Sequence, residues 1–182
     1  PEVPGLRDGA PLSMGDFDFS PAGNASPRSN RIGYVFGRLL GLGYEPHVAA
    51  GLTGNLMQES GVALHTRAIG DNGNAIGIGQ WNGPRMRALK AFARKHGADW
   101  SDIDTQIDFL HHELQTTEAA AWARIQAAPD ARSAARIASE TFWRPGVPHL
   151  ANRMGYAQTV FDQYQRGAVP RWLDDLPEVS LV

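Results

Sequence analysis

The chain has 182 residues, enough for one folded domain with a core of its own. With 42% hydrophobic and 20% charged residues it has a globular composition, and a net charge of −2 gives it no electrostatic footprint for nucleic acid. It holds no cysteine, which excludes disulfides, thiolate metal sites and thiol nucleophiles, and no run approaches the roughly 20 apolar residues of a membrane span.

Residues 1–29 are rich in Pro, Gly, Ser and Asp without helical or strand periodicity, so an arm or linker is expected, with Phe17 and Phe19 available to dock on the domain. The chain starts at Pro1 and lacks a signal-peptide pattern, so a processed form or a fragment of a longer protein is expected. The domain itself is expected over residues 30–166. Its first helix, in "NRIGYVFGRLLGLG", carries Ile32, Val35, Phe36, Leu39 and Leu40 at helical spacing and stops at Gly41 and Gly43. Pro46 opens a second helix that runs to Gln58 or Glu59.

Residues 67–82, "RAIGDNGNAIGIGQWN", interrupt the helical pattern. Asn72-Gly73 predicts a type I′ hairpin turn, because that turn needs positive φ at both central positions. After it, Ile76 and Ile78 alternate with Gly77 and Gly79, which predicts a short strand with one apolar face. Its bare glycine face is open to close approach by a ligand or another backbone. Five helical patterns follow: "GPRMRALKAFARKHG", "DIDTQIDFLHHELQ", "EAAAWARIQ", "DARSAARIASETFWR" and "LANRMGYAQTVFDQYQ". Ile103, Ile107, Leu110 and Leu114 share a face, as do Met154, Ala157, Val160, Phe161 and Tyr164. Trp100 and Trp122 fall among apolar residues and are assigned to the core. Residues 167–182 read as a tail in which Trp172, Leu173 and Leu176 are available to pack back on the surface.

One residue stands out from this helical plan. In "GNLMQESG", residues 54–61, steps of about 100° per residue put Val48, Leu52, Asn55, Leu56 and Glu59 in one sector. Glu59 therefore sits on an apolar side at a helix C-terminus, where desolvation and the helix dipole both favour the protonated carboxyl. A carboxylic acid kept neutral is what a general acid requires. The alternative is a boundary residue at the start of an exposed loop. A second carboxylate, Asp71, stands at the tip of the predicted hairpin, and Gln58, Asn74, Gln80 and Trp81 supply polar and stacking groups suited to sugars. Asp71 has its own alternative role, since Asp before Asn-Gly favours the turn by bonding its own backbone.

These motifs in this order resemble the lysozyme superfamily, and within it the lysozyme-like domains of phage tail proteins. The features that carry the likeness are "GNLMQESG", "GDNGNAIGIGQW", Arg85 soon afterwards, and "FWRPGVPHLANRMGYA" near the end, together spanning roughly residues 31–165. The resemblance implies a predominantly helical α+β, lysozyme-like fold with a small hairpin beside the active-site cleft. It makes Glu59 the catalytic acid and peptidoglycan the partner, cut at the β-1,4 bond between N-acetylmuramic acid and N-acetylglucosamine without metal or cofactor. It also implies action at the bacterial wall from a virion tail or another extracytoplasmic place, with residues 1–29 free to attach to a larger assembly. Cleaving a glycosidic bond calls for one protonated carboxyl group and one carboxylate, for which Asp71 is the candidate. Lytic transglycosylases on the same fold use a single acid, which would leave Asp71 structural. A non-catalytic wall-binding or scaffold domain is the reading from another class.

In "FWRPGVPHLANR", Trp143, Arg144 and Tyr156 further on are candidates for one wall of a glycan cleft; the alternative is a helix-to-helix corner closed by a salt bridge. His111, His112 and Glu113 lack the second histidine of a metalloprotease helix, Thr116 standing in its place, and read as part of a surface helix. Gly70 to Gly79 lack the lysine and spacing of a phosphate loop. Ser60 and His65 have no nucleophile-elbow context, which leaves Ser60 to cap or orient the turn beside Glu59.

Overall fold

A computed structural model of the chain describes residues 31–167. The proposed arm with Phe17 and Phe19, and the segment with Trp172, Leu173 and Leu176, lie outside the described residues. Within them the chain forms α1 (Arg31–Gly41), α2 (Pro46–Ser60), a three-stranded sheet β1 (Ile69–Gly70), β2 (Ala75–Ile76) and β3 (Trp81–Asn82), then α3 (Gly83–Lys95), α4 (Ile103–Gln115), α5 (Ala119–Ile125), α6 (Ala131–Ala138) and α7 (Leu150–Gln165).

Helix α2 is the axis of the fold. Every residue from Val48 to Met57 is buried, so the one-sided apolar sector expected from the sequence is a helix enclosed on all sides. Its Ala and Gly positions permit this. A Cβ on Gly51 would lie 2.6 Å from the Ala134 Cβ on α6, and one on Gly54 would lie 2.7 Å from both the Ala157 nitrogen and the Arg153 oxygen on α7. Two glycines thus bring two neighbouring helix backbones against α2, and α6 and α7 are its main packing partners. Around this axis α1 contributes Ile32, Val35, Phe36 and Leu39, and α4 contributes Ile107, Phe109, Leu110 and Leu114. Trp100 and Trp122 pack half-buried against this core.

The single helix expected over residues 130–144 begins as predicted, with the Asp130 carboxylate accepting the Ser133 N–H at 2.7 Å as an N-cap. It then widens into a π-helical turn, Ser139–Trp143, and ends with Arg144 in the left-handed region at φ 49°. The Arg144 N–H reaches back five residues to the Ser139 carbonyl at 2.7 Å. Such a turn re-aims the side chains after it.

Strand order is β1-β2-β3, all antiparallel, with Ile69 opposite Ile76, Ala75 opposite Asn82 and Ile76 opposite Trp81. The Asn72-Gly73 turn forms with φ of 52° and 93°, and the Asn74 N–H donates to the Asp71 carbonyl at 3.0 Å. The expected strand through Ile78 stops at Ile76 instead, because Gly77 adopts φ 75° and a second turn delivers the chain to β3. The close approach predicted on the glycine face comes from the protein's own Gln106. A Cβ on Gly77 would meet its side-chain oxygen at 2.8 Å, and that oxygen accepts the Ile78 N–H at 2.8 Å. The Gln106 amide nitrogen donates to the Thr66 and Trp100 carbonyls, which ties the sheet to α4.

Candidate active site

Glu59 is the penultimate residue of α2, followed by Gly61 at φ 83°, which ends the helix. Its side chain is 15% exposed. Burial pushes the carboxyl above its ordinary range, and the nearby charge of Arg153 opposes the shift, with Arg85 and His149 acting in the same opposing direction more weakly. The expected desolvation is therefore present, but with a cation the sequence pattern did not reveal. Arg153 Nη2 lies 2.7 Å from Glu59 Oε1. That oxygen is buried, and the guanidinium acts on it chiefly by charge at close range and secondarily by hydrogen bonding.

Arg153 lies in the second turn of α7, on α7's packed face at 2% exposure. Its Nε donates to the Pro148 carbonyl at 2.6 Å and its Nη1 to Asn55 Oδ1 at 2.8 Å. Asn55 is one helical turn before Glu59, and its own amide nitrogen donates to the Gly51 and Ala135 carbonyls, both at 2.9 Å. The corner expected to hold a salt bridge does hold one, and its partner is Glu59 itself.

A second buried pair lies between the sheet and the helices. Arg85 at the start of α3 makes a two-pronged contact with Glu113, Nε to Oε1 at 2.7 Å and Nη2 to Oε2 at 2.8 Å. Its guanidinium also stacks 4.3 Å from the centre of the Phe142 ring. Glu113 is 3% exposed, so of the supposed surface trio it points inward, while His112 is exposed and His111 is half-buried with its Nδ1 2.7 Å from the Tyr44 hydroxyl.

Trp81 and Tyr156 are buried rather than exposed to a ligand. Trp81 is 1% exposed and donates its indole N–H to Glu113 Oε2 at 2.7 Å, and Tyr156 is fully buried on α7. Both are core residues, a correction to their expected role as sugar contacts: the Trp81 ring packs edge-on against Phe109 of α4, and Tyr156 belongs to the central apolar cluster. Arg144 is exposed but engaged by Glu118 through two contacts of 2.8 and 2.9 Å. Those bonds hold the Glu118 carboxyl below its usual range. Trp143 is half-buried, and its indole N–H donates to the Gly79 carbonyl at 3.1 Å, a link from the π-helical turn to the second sheet turn.

Asp71 is exposed, with φ 49° inside the turn, and Asn74 beside it is exposed too. The Gln80 amide donates to the Gly77 carbonyl at 3.0 Å and lies over Gly70. Gln58 is half-buried with a buried side-chain oxygen that no donor reaches. Ser60 caps nothing: its hydroxyl bonds the Leu56 carbonyl one turn back at 3.0 Å, and His65 is exposed. Sequence reasoning placed Arg153 at a corner with a salt bridge but missed Glu59 as its partner, and it missed the Arg85–Glu113 pair. The available signal was an arginine within an otherwise apolar helical stripe of α7 and a glutamate on the buried face of α4.

No curated protein matches the chain. A family model described as phage tail lysozyme matches residues 30–164, which takes in α1 through α6, all of α7 but its last residue, and both Glu59 and Asp71. The chain thus belongs to the phage tail lysozyme family, whose role is peptidoglycan lysis.

Proposed function

We propose that this domain hydrolyses the β-1,4 bond between N-acetylmuramic acid and N-acetylglucosamine, with Glu59 as general acid. The observation that carries the reading is a carboxyl group at the end of a buried helix, raised toward its protonated form by desolvation, within a chain of a lysozyme family. Glu59 would give its proton to the bridging oxygen as the bond from that oxygen to the anomeric carbon breaks. Asp71 would stabilise the resulting oxocarbenium ion, and water would complete hydrolysis. Gln58, next to Glu59 in the chain, and the exposed Asn74 would orient sugars, with Gln80, Trp143 and Arg144 as further contacts. Residues 1–29 would attach the domain to a tail or virion assembly, so that it digests the wall locally.

One observation favours a second reading. Asp71 adopts φ 49° inside a turn, a left-handed conformation that Asp tolerates better than most residues, so it has a reason to be there without catalysis. A single acid would then suit a lytic transglycosylase. Digestion of purified peptidoglycan with wild type, Glu59→Gln and Asp71→Asn, followed by mass spectrometry of soluble products, tests both. Glu59→Gln should lower the rate by about 10²- to 10⁴-fold. Reducing products that also need Asp71 support hydrolysis, and products lighter by one water with Asp71→Asn active support the transglycosylase. Wild-type activity in Glu59→Gln would remove the general-acid assignment.

A further inference from the structure

We propose that Arg153 is the positioning residue of this site: it pins Oε1 of Glu59 and leaves Oε2 as the oxygen that carries the proton toward substrate. The proposal rests on the reading of Glu59 as general acid. Its grounds are geometric. Oε1 is buried against Nη2 at 2.7 Å, so the 15% exposure of the side chain belongs to the rest of it, where Oε2 is the polar atom.

The guanidinium is itself immobilised from three directions. Pro148 takes Nε from the loop before α7, Asn55 takes Nη1 from α2, and Glu59 faces Nη2. Asn55 cannot flip to offer its nitrogen, because that nitrogen is already committed to the Gly51 and Ala135 carbonyls. A chain of polar contacts thus runs from the backbone of α6 through α2 and α7 to the carboxyl group. Gly54 sets its length, since it lets the backbone oxygen of Arg153 come within 2.7 Å of where a side chain would begin.

The arrangement serves two needs of a general acid. Orientation is the first, since a reacting oxygen misplaced by about 1 Å can cost on the order of 10² in rate. The second is the return to the carboxylate after the proton leaves. Burial strengthens the carboxyl's hold on its proton, and Arg153 is the strongest of the groups that offset it, ahead of Arg85 from α3 and His149 at the start of α7. Glu113, also on the inner side, is neutralised by Arg85.

The test is the pH profile of kcat and kcat/KM on a soluble peptidoglycan oligosaccharide for wild type, Glu59→Gln, Arg153→Met and Arg153→Lys, each checked for folding by circular dichroism. Arg153→Met should lose about 10²-fold in kcat with KM changed less than about threefold. Its alkaline limb, where Glu59 loses its proton, should move to higher pH, because the group that lowers the carboxyl's affinity for protons is gone. Arg153→Lys keeps the charge but not the planar fork, so kcat falls while the limb stays near that of wild type. The Lys variant carries the test if Arg153→Met does not fold. Wild-type kcat in Arg153→Lys, or a limb in Arg153→Met that stays put or moves to lower pH, overturns the proposal. A fully active Glu59→Gln would instead overturn the general-acid reading beneath it, so the two failures are distinguishable.

Discussion

Replacing Gly54 by Ala tests whether the close contact of α2 with α7 is as tight as its geometry implies. In an exposed helix the change would stabilise by about 1 kcal/mol, through lower chain entropy in the unfolded state and better helix propensity. Here the new Cβ would stand 2.7 Å from the Ala157 nitrogen, 2.7 Å from the Arg153 oxygen and 3.0 Å from the Ala157 Cα. Carbon contacts are comfortable at about 3.5–4.0 Å, so the two helices would have to part by roughly 1 Å. All three obstacles are backbone atoms of one helix and none can rotate away. Overpacking of this kind costs about 1–3 kcal/mol, and against the propensity gain we expect a net loss of about 1–2 kcal/mol. Gly155, on α7, provides the internal control: a Cβ there meets nothing within 4 Å and its φ is not left-handed, so Gly155→Ala should stabilise by about 0.5–1 kcal/mol. Urea unfolding followed by tryptophan fluorescence reads both, as opposite shifts of the midpoint with an unchanged slope. A Gly54→Ala variant as stable as wild type, or the same sign for both variants, would refute the reasoning.

Two further outcomes follow from the charged groups. Glu113→Gln strips Arg85 of a two-pronged partner in a nearly closed space, at 4% and 23% side-chain exposure, so stability should fall by on the order of 3 kcal/mol in thermal denaturation. A loss below about 1 kcal/mol would mean that the pair behaves as an exposed one. For Glu59 the folded protein holds its proton more tightly than the unfolded chain, so the stability this confers is complete below the ordinary value of 4.5 and is lost as pH rises through the folded value. Glu59→Gln stays neutral throughout, and its stability relative to wild type should climb as pH is raised above 4.5 in urea titrations; a difference that is flat with pH would contradict the raised carboxyl.

The helices were readable because their ends are punctuated: Pro46 and Pro84 sit in first turns, Asp130 caps α6, and apolar spacing marks α1 and α4. The hairpin turn was readable for the same kind of local reason, since Asn72 and Gly73 are chosen by backbone conformation. What the sequence could not show is which side of an element faces inward when both sides look alike. Helix α2 is enclosed by its Gly and Ala positions, which carry no hydropathic signal. Trp81 and Tyr156 belong to residue types that suit a sugar cleft and a core equally well, and only the tertiary packing that buries them decides. The end of the short strand turns on Gly77, whose φ serves a contact with Gln106, 29 residues away.

Arg153 shows the limit most clearly. It bonds Asn55 across 98 residues of chain, so no window containing "GNLMQESG" includes it. Yet physical chemistry alone asks for something of its kind. A carboxyl group enclosed at a helix C-terminus is driven toward the protonated state by desolvation and by the helix dipole together, and an acid that never ionises cannot complete a turnover. A nearby positive charge tempers both effects, and it must be buried and held by other bonds if it is not to swing into water. An arginine in the core of α7, with its remaining donors taken up by Pro148 and Asn55, answers that description. A motif can single out Glu59; the cation beside it is fixed only when α7 packs against Gly54.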